Sequence, residues 1–142
     1  MMISKPKPEY LQAVGLSVVT WSDLNLQSAV YVYRAEHQEI DIDEILEIAV
    51  MHEQPFRKRM KEAGMEGDLV EKRQALAARR NALAHSIISN NTKGAKRLWR
   101  PEHNDVPAHP LNISDIEEFI SEVNALKTSV MSAEVSRFGA IR

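Results

Sequence analysis

The sequence contains no cysteine, few glycines and prolines, and no long apolar run. Without cysteine, the 142-residue chain has no disulfide, no thiolate zinc site and no cysteine nucleophile. Five glycines and six prolines are too few for a disordered or linker-rich chain. No stretch approaches the roughly 20 apolar residues that a membrane-spanning helix needs, and residues 1–8 lack the apolar core of a leader peptide. These absences predict one soluble, cytoplasmic domain without a membrane partner.

The chain also lacks an excess of charge of either sign. Eighteen Lys and Arg residues face 20 Asp and Glu residues, for a formal net charge of −2. This near-balance excludes a protein that binds nucleic acid over its whole surface by bulk charge. Carboxylates nevertheless concentrate in 36–47, whereas basic residues concentrate in 57–61, 72–80 and 93–100. The total charge therefore still allows nucleic-acid binding through a single face.

Apolar spacing predicts an all-α protein, an up-and-down bundle of four main helices in a single domain with an ordered core of about 9–135. The first helix covers about 9–36, where apolar residues recur three and four positions apart. Its β-branched valines make a strand the competing interpretation, but the length and the spacing favour a helix. The third helix covers about 67–88, where leucines recur every seven residues.

The second predicted helix is short and acidic at its start. Asp41 or Asp43 is expected to cap it, since a carboxylate suits a helix N-terminus. Pro55 is expected to kink or split it. Its predicted buried face consists of Ile42, Ile45, Leu46, Ala49, Val50 and His52.

The last helix and the segment before it give opposite signals. Ser-Asp-Ile-Glu at 114–117 matches the capping box, in which the side chains of a Ser and a Glu satisfy free N–H groups. Apolar residues then recur at helical spacing up to Val130. Residues 90–112 contain three prolines and little periodicity, and a short hairpin around 87–99 is one interpretation of this region.

The residues most suited to chemistry lie near the end of the third helix. Asn81 and His85 are four residues apart and share a face, whereas Arg80 and His85 are about 140° apart around an ideal helix. Arginine binds phosphate with a fork of N–H donors, and histidine exchanges protons near neutral pH. Together they suffice for metal-free RNA cleavage, because the 2′-hydroxyl is itself the nucleophile. The alternative is purely structural, since a histidine near a helix C-terminus is stabilised by the dipole whether or not it reacts.

Two stretches resemble the HEPN family (higher eukaryotes and prokaryotes nucleotide-binding domains), whose members are small helical bundles. Arg80-Asn81-x-x-x-His85 resembles the Arg-x4–6-His motif of that family. Val-Val-Thr-Trp-Ser-Asp-Leu at 18–24 resembles the Val-Val-x-Trp-Ser-x-Leu-Glu opening of bacterial members, with Asn25 in place of the final glutamate.

The resemblance implies a homodimer in which the motif helices of two chains meet at one composite cleft. Arg80 would hold the scissile phosphate, His85 would be the general acid or base, and Asn81 would orient one of them or contact the phosphate. A metal-independent endoribonuclease of toxin or phage-defence type follows from these roles. The alternatives are also drawn from the family: nucleotide binding, pairing with a protein antitoxin, or a non-catalytic dimerisation module.

A second basic cluster directly follows the motif. Basic residues interleaved with an aromatic suit single-stranded RNA, through phosphate attraction and base stacking. The predicted RNA-binding residues are Arg79, Lys93, Lys96, Arg97, Trp99 and Arg100. The alternative is a solvated segment that Trp99 pins to the bundle. Neither a metal nor a cofactor is predicted, because no histidine spacing matches a zinc site and no glycine-rich phosphate loop is present.

Overall fold

The computed structural model describes residues 8–88, Trp99 and 111–141, with the backbone alone for 85–88. Within these residues the protein is all-α, with five helices and no strand. The helices are α1 (Pro8–Glu36), α2 (Ile42–Ala49), α3 (Glu53–Glu62), α4 (Gly67–Ile88) and α5 (Ile113–Phe138). None of the helices described is both long and apolar enough to cross a membrane. The predicted bounds of the first and third helices are confirmed, as α1 and α4.

The two longest helices, α1 and α5, pack most extensively against each other. Leu24 and Val32 of α1 and Phe119 and Val123 of α5 are completely buried in the core. Polar Ser28 also lies in this interface, where its hydroxyl donates to a backbone carbonyl one turn earlier. The hydroxyl therefore reaches the core without an unsatisfied donor.

The second predicted helix is in fact two helices, and they do not separate at Pro55. α2 ends at Ala49 and α3 begins at Glu53, so Pro55 lies in the first turn of α3. Proline is tolerated there because first-turn N–H groups have no acceptor within the helix. Asp41 is the N-cap of α2, and its carboxylate accepts two backbone N–H groups at 3.0 and 3.3 Å.

The buried side of α2 also differs from the prediction. Ile45 and Ile48 are each 4% exposed, whereas Ile42, Leu46 and Val50 are 67%, 48% and 81% exposed. α2 packs on α1, and its apolar residues occupy most of its circumference. These apolar residues form one continuous wide face, and only the edge that contains Ile45 and Ile48 meets the core.

Helix α5 begins with a capping box, as predicted, but the box starts two residues earlier than predicted. Asn112, not Ser114, is the N-cap: its side chain accepts the Asp115 backbone N–H at 2.9 Å. The Asp115 carboxylate in turn accepts the Asn112 backbone N–H at 3.1 Å. Leu111 and Ile116, at the two positions of a hydrophobic staple, are both buried, which favours the earlier start.

The hairpin predicted around 87–99 is not present where the structure describes this region. Ile87 and Ile88 belong to α4, and Trp99 is helical. The remainder of that prediction lies outside the described residues.

Candidate functional site

Helix α4 contains three arginines that differ in their partners. Arg73 forms an ion pair with Glu53, and Arg79 forms one with Glu122 of α5. Arg80 forms no ion pair with any residue that the structure describes. Among these three cations, Arg80 is therefore the one whose charge is not neutralised by a carboxylate.

Arg80 is partly exposed at the surface of α4. Its Nη2 donates to Oδ1 of the exposed Asn81 side chain at 3.3 Å. Its guanidinium also lies over the Trp21 ring, 5.2 Å from the ring centroid. Since a guanidinium has five N–H donors and the Asn81 contact uses one, Arg80 retains the capacity to bind an anion bidentately.

Arg73 is only 2% exposed and is held on several sides. Its Nη2 and Nε donate to the two carboxylate oxygens of Glu53 at 2.8 and 3.3 Å. Nη2 also donates to Oδ1 of Asn25 at 2.5 Å. The guanidinium lies 4.9 Å from the Trp21 ring centroid and 4.6 Å from that of Phe56. These contacts make Arg73 a structural residue that joins α1, α3 and α4.

Burial lowers the pKa of Arg73 from its ordinary value, and the Glu53 carboxylate opposes this change. The charge of Arg80 acts in the same direction as burial. Arginine still remains protonated at neutral pH, so Arg73 and Glu53 neutralise each other. Arg57 also contacts the Glu53 carboxylate, at 3.4 Å, so among the arginines around Arg73 it is Arg80 that has no carboxylate contact with a described residue.

The catalytic histidine of the predicted motif is described only in its backbone. α4 remains helical through Ile88, so positions 80 and 85 stay about 140° apart around the helix axis. The helix does not unwind between them. The side chain of His85 lies outside the described residues, as do Lys93, Lys96, Arg97 and Arg100.

Trp99 and Arg79, both predicted to bind RNA, contact the protein core. Trp99 is 1% exposed, and its ring centroid is 5.8 Å from that of Phe119. The Arg79 guanidinium, ion-paired to Glu122, lies 5.6 Å from the centroid of the Trp99 ring. A buried ring has no free face for a base, which favours the alternative that Trp99 pins its segment to the bundle.

Sequence reasoning missed the contacts of Arg73 and Asn25. One signal was available, since Arg73 precedes Arg80 by seven residues and Asn25 follows Trp21 by four. At these spacings each pair shares a helix face. The partner on α3 is not implied by any spacing, because Glu53 is 20 residues away from Arg73.

The described residues contain no group of three or more potential metal ligands. Comparisons with protein-family models, with curated proteins and with solved structures found no match.

Proposed function

We propose that this protein is a metal-independent endoribonuclease that acts as a homodimer, built as a four-helix bundle of HEPN type. The observation that supports it most directly is the state of Arg80. The guanidinium is partly exposed, has no carboxylate partner among the described residues, and lies beside an exposed amide. Such a fork can bind the two non-bridging oxygens of a phosphate diester bidentately.

The proposed reaction needs no nucleophile from the protein. The 2′-hydroxyl of the RNA attacks the adjacent phosphorus, the bond to the 5′-oxygen breaks, and a 2′,3′-cyclic phosphate remains. Arg80 stabilises the negative charge that develops on the non-bridging oxygens. His85 accepts the proton of the 2′-hydroxyl or donates one to the departing 5′-oxygen. Asn81 orients the Arg80 guanidinium through the hydrogen bond at 3.3 Å.

The ring of Trp21 supports this role for Arg80. Trp21 is 4% exposed and stacks against Phe119, with centroids 6.3 Å apart, so the ring is held by the core. A cation placed over the face of a fixed indole ring is stabilised by the ring quadrupole. The guanidinium of Arg80 is thereby oriented before a phosphate arrives, which reduces the entropic cost of binding it.

An exposed apolar surface beside Trp21 supports the homodimer. Leu11, Val18 and Val19 on α1 are 51%, 60% and 57% exposed. Val18 precedes Trp21 by three residues, so this surface adjoins the ring that contacts Arg80. In the proposed homodimer a second copy covers this surface, and the two α4 helices meet. Position 80 of one chain and position 85 of the other then line one cleft, although they lie on different sides of a single helix.

RNA digestion in EDTA tests the proposal. Wild-type protein is expected to release fragments with 2′,3′-cyclic phosphate ends, and Arg80→Ala and His85→Ala are expected to abolish cleavage. Arg80→Lys keeps the charge but not the fork, so cleavage should be intermediate or lost. Lys58→Ala, which removes an exposed cation on α3, is the matched control and should cleave like wild type. Equal cleavage by all of these proteins would refute the proposal.

Two further measurements distinguish the alternatives. A non-catalytic dimerisation module predicts no cleavage by wild type and a weaker dimer for Arg80→Ala, detected by light scattering. A nucleotide-binding protein predicts thermal stabilisation of wild type by ATP and none for Arg80→Ala.

A further inference from the structure

A second surface, on α2 and remote in sequence from the α4 motif, is apolar and exposed. Ile42, Leu46 and Val50 follow each other at intervals of four residues and are 67%, 48% and 81% exposed. Ile40, just before the helix, is 43% exposed. By helical spacing the three residues form one stripe about 12 Å long, which is slightly more than two turns. We refer to these three residues as the α2 stripe.

A row of carboxylates runs along one edge of the α2 stripe. Asp43 and Glu47 are four residues apart on the neighbouring side of the helix, whereas Glu44 lies further round the helix, on the side that faces away from the stripe. None of the three forms an ion pair with a residue that the structure describes. The nearby cation, Arg59, is bound to Glu36 at 2.7 Å. Negative charge therefore remains uncompensated beside the exposed apolar residues.

A pocket of about 360 Å³ opens next to these carboxylates. Glu44 and Glu47 line it together with Met51, Arg59 and the rings of Tyr33 and His37, which stack with centroids 4.3 Å apart. Burial and the Glu44 carboxylate raise the pKa of Tyr33 above its ordinary value, as expected where negative charge is not neutralised. Carboxylates next to an aromatic ring suit the head of a lysine or arginine side chain.

We propose that the α2 stripe and its row of carboxylates bind a basic amphipathic helix of a partner protein. The apolar face of that helix covers Ile42, Leu46 and Val50, and its lysines or arginines face the carboxylates. An amphipathic helix laid on an apolar surface is a recurrent mode of recognition, and charges at the rim fix its orientation.

The charge of this surface excludes the nucleic acid of the proposed activity, because carboxylates repel phosphates. The basic helix of the chain itself is also a poor occupant. α3 contains Arg57, Lys58, Arg59 and Lys61, but its apolar residues Phe56 and Met60 are completely buried in the core. It therefore has no exposed apolar face with which a second copy would cover the α2 stripe. A basic amphipathic helix of another protein fits both the apolar stripe and the carboxylates beside it.

The test uses a fluorescein-labelled peptide of leucine and lysine, about four helical turns long, with its leucines on one face. A scrambled peptide of the same composition and a peptide with glutamate in place of lysine are the controls. In fluorescence anisotropy, wild-type protein should bind the amphipathic lysine peptide at least about tenfold more tightly than the scrambled one. It should not bind the glutamate peptide.

Two double variants locate the binding. Leu46→Ser with Val50→Ser, and separately Asp43→Asn with Glu47→Gln, should each weaken binding about tenfold. Met131→Ser with Val135→Ser removes two apolar side chains of α5 that are 42% and 53% exposed, and should leave binding unchanged. Circular dichroism should show all three variants folded, since the altered side chains are largely exposed. The inference is overturned if the scrambled peptide binds as well, or if the α2 serine variant binds like the α5 variant. Weakening by the Asp43 and Glu47 variant alone also overturns it, because the site would then be a charge cluster without apolar recognition.

Discussion

Arg73 and Arg80 lie two turns apart on one side of α4 and contact the same indole ring, yet their surroundings differ. The Arg73 guanidinium is buried, donates to both carboxylate oxygens of Glu53, and donates to the amide oxygen of Asn25. The Arg80 guanidinium is partly exposed and has one contact with an amide, that of Asn81. Two residues of the same type on the same helix therefore have opposite roles, one in the fold and one at the candidate site.

The difference arises from α3. Glu53 is the first residue of α3, and its carboxylate binds Arg73 of α4. The ring of Phe56, one turn later in α3, lies against the same guanidinium. Arg80 lies two turns further along α4, beyond the reach of that carboxylate. A cation that the protein has already neutralised contributes to stability, whereas one left unpaired at the surface remains available to an anionic ligand.

The largest expected effect follows from removing the buried arginine. Arg73→Ala should lower the free energy of unfolding by about 3 kcal/mol, because it removes a buried guanidinium that joins three helices and leaves the Glu53 carboxylate with only its longer contact to Arg57. Urea denaturation measures this loss. Arg79→Ala is the matched control on the same helix, and its exposed ion pair with Glu122 should contribute less than about 1 kcal/mol. Similar losses in both variants would mean that the burial of Arg73 has no special structural role.

Trp21→Phe tests the ring that the two arginines share. The smaller ring leaves a void in the core, and we expect a loss of about 2 kcal/mol in unfolding free energy. Affinity for RNA should fall as well, by a few-fold, because Arg80 loses part of its support. Urea denaturation and RNA titration measure the two effects. A loss of stability with unchanged RNA affinity would show that the ring serves Arg73 alone.

Asn25→Ala tests whether the contacts of Arg73 can be weakened without an effect on the activity that depends on Arg80. It removes the acceptor of an Arg73 hydrogen bond at 2.5 Å and should cost about 1 kcal/mol in unfolding free energy. RNA cleavage should remain at the wild-type level, since Asn25 has no contact with Arg80. A marked loss of cleavage in a variant that is still folded would place Asn25 at the site. That result would suit the family pattern, which has a glutamate at this position.

The smallest effect on stability is expected at the candidate site itself. Arg80→Ala removes one hydrogen bond and one partly exposed cation–π contact, so unfolding free energy should change by less than about 1 kcal/mol. RNA cleavage should nevertheless disappear. A destabilisation as large as that of Arg73→Ala would abolish the distinction between the two arginines and favour the dimerisation module.

Much of the local structure could be predicted from the sequence, but the contacts between helices could not. Periodicity predicts α1 and α4 closely, because helix formation depends on residues three and four positions apart. The same periodicity was wrong for α2, where Ile42 and Leu46 are exposed and Ile48 is buried. Pro55 was expected at a break, yet it lies in the first turn of α3. In both cases the spacing of residues predicts a helix correctly, but it does not determine which side of the helix is buried or where the helix begins.

The sequence by itself determined the helical class, most helix boundaries and the position of the Arg80-Asn81 motif, since each of these depends on neighbours along the chain. Only the tertiary structure decided that Arg73 is buried and that Arg80 is not. The residues that distinguish them, Glu53 and Asn25, are 20 and 48 positions away from Arg73. The charge available to a ligand at this site depends on which carboxylate folding brings next to which arginine, and no spacing along the chain records that contact.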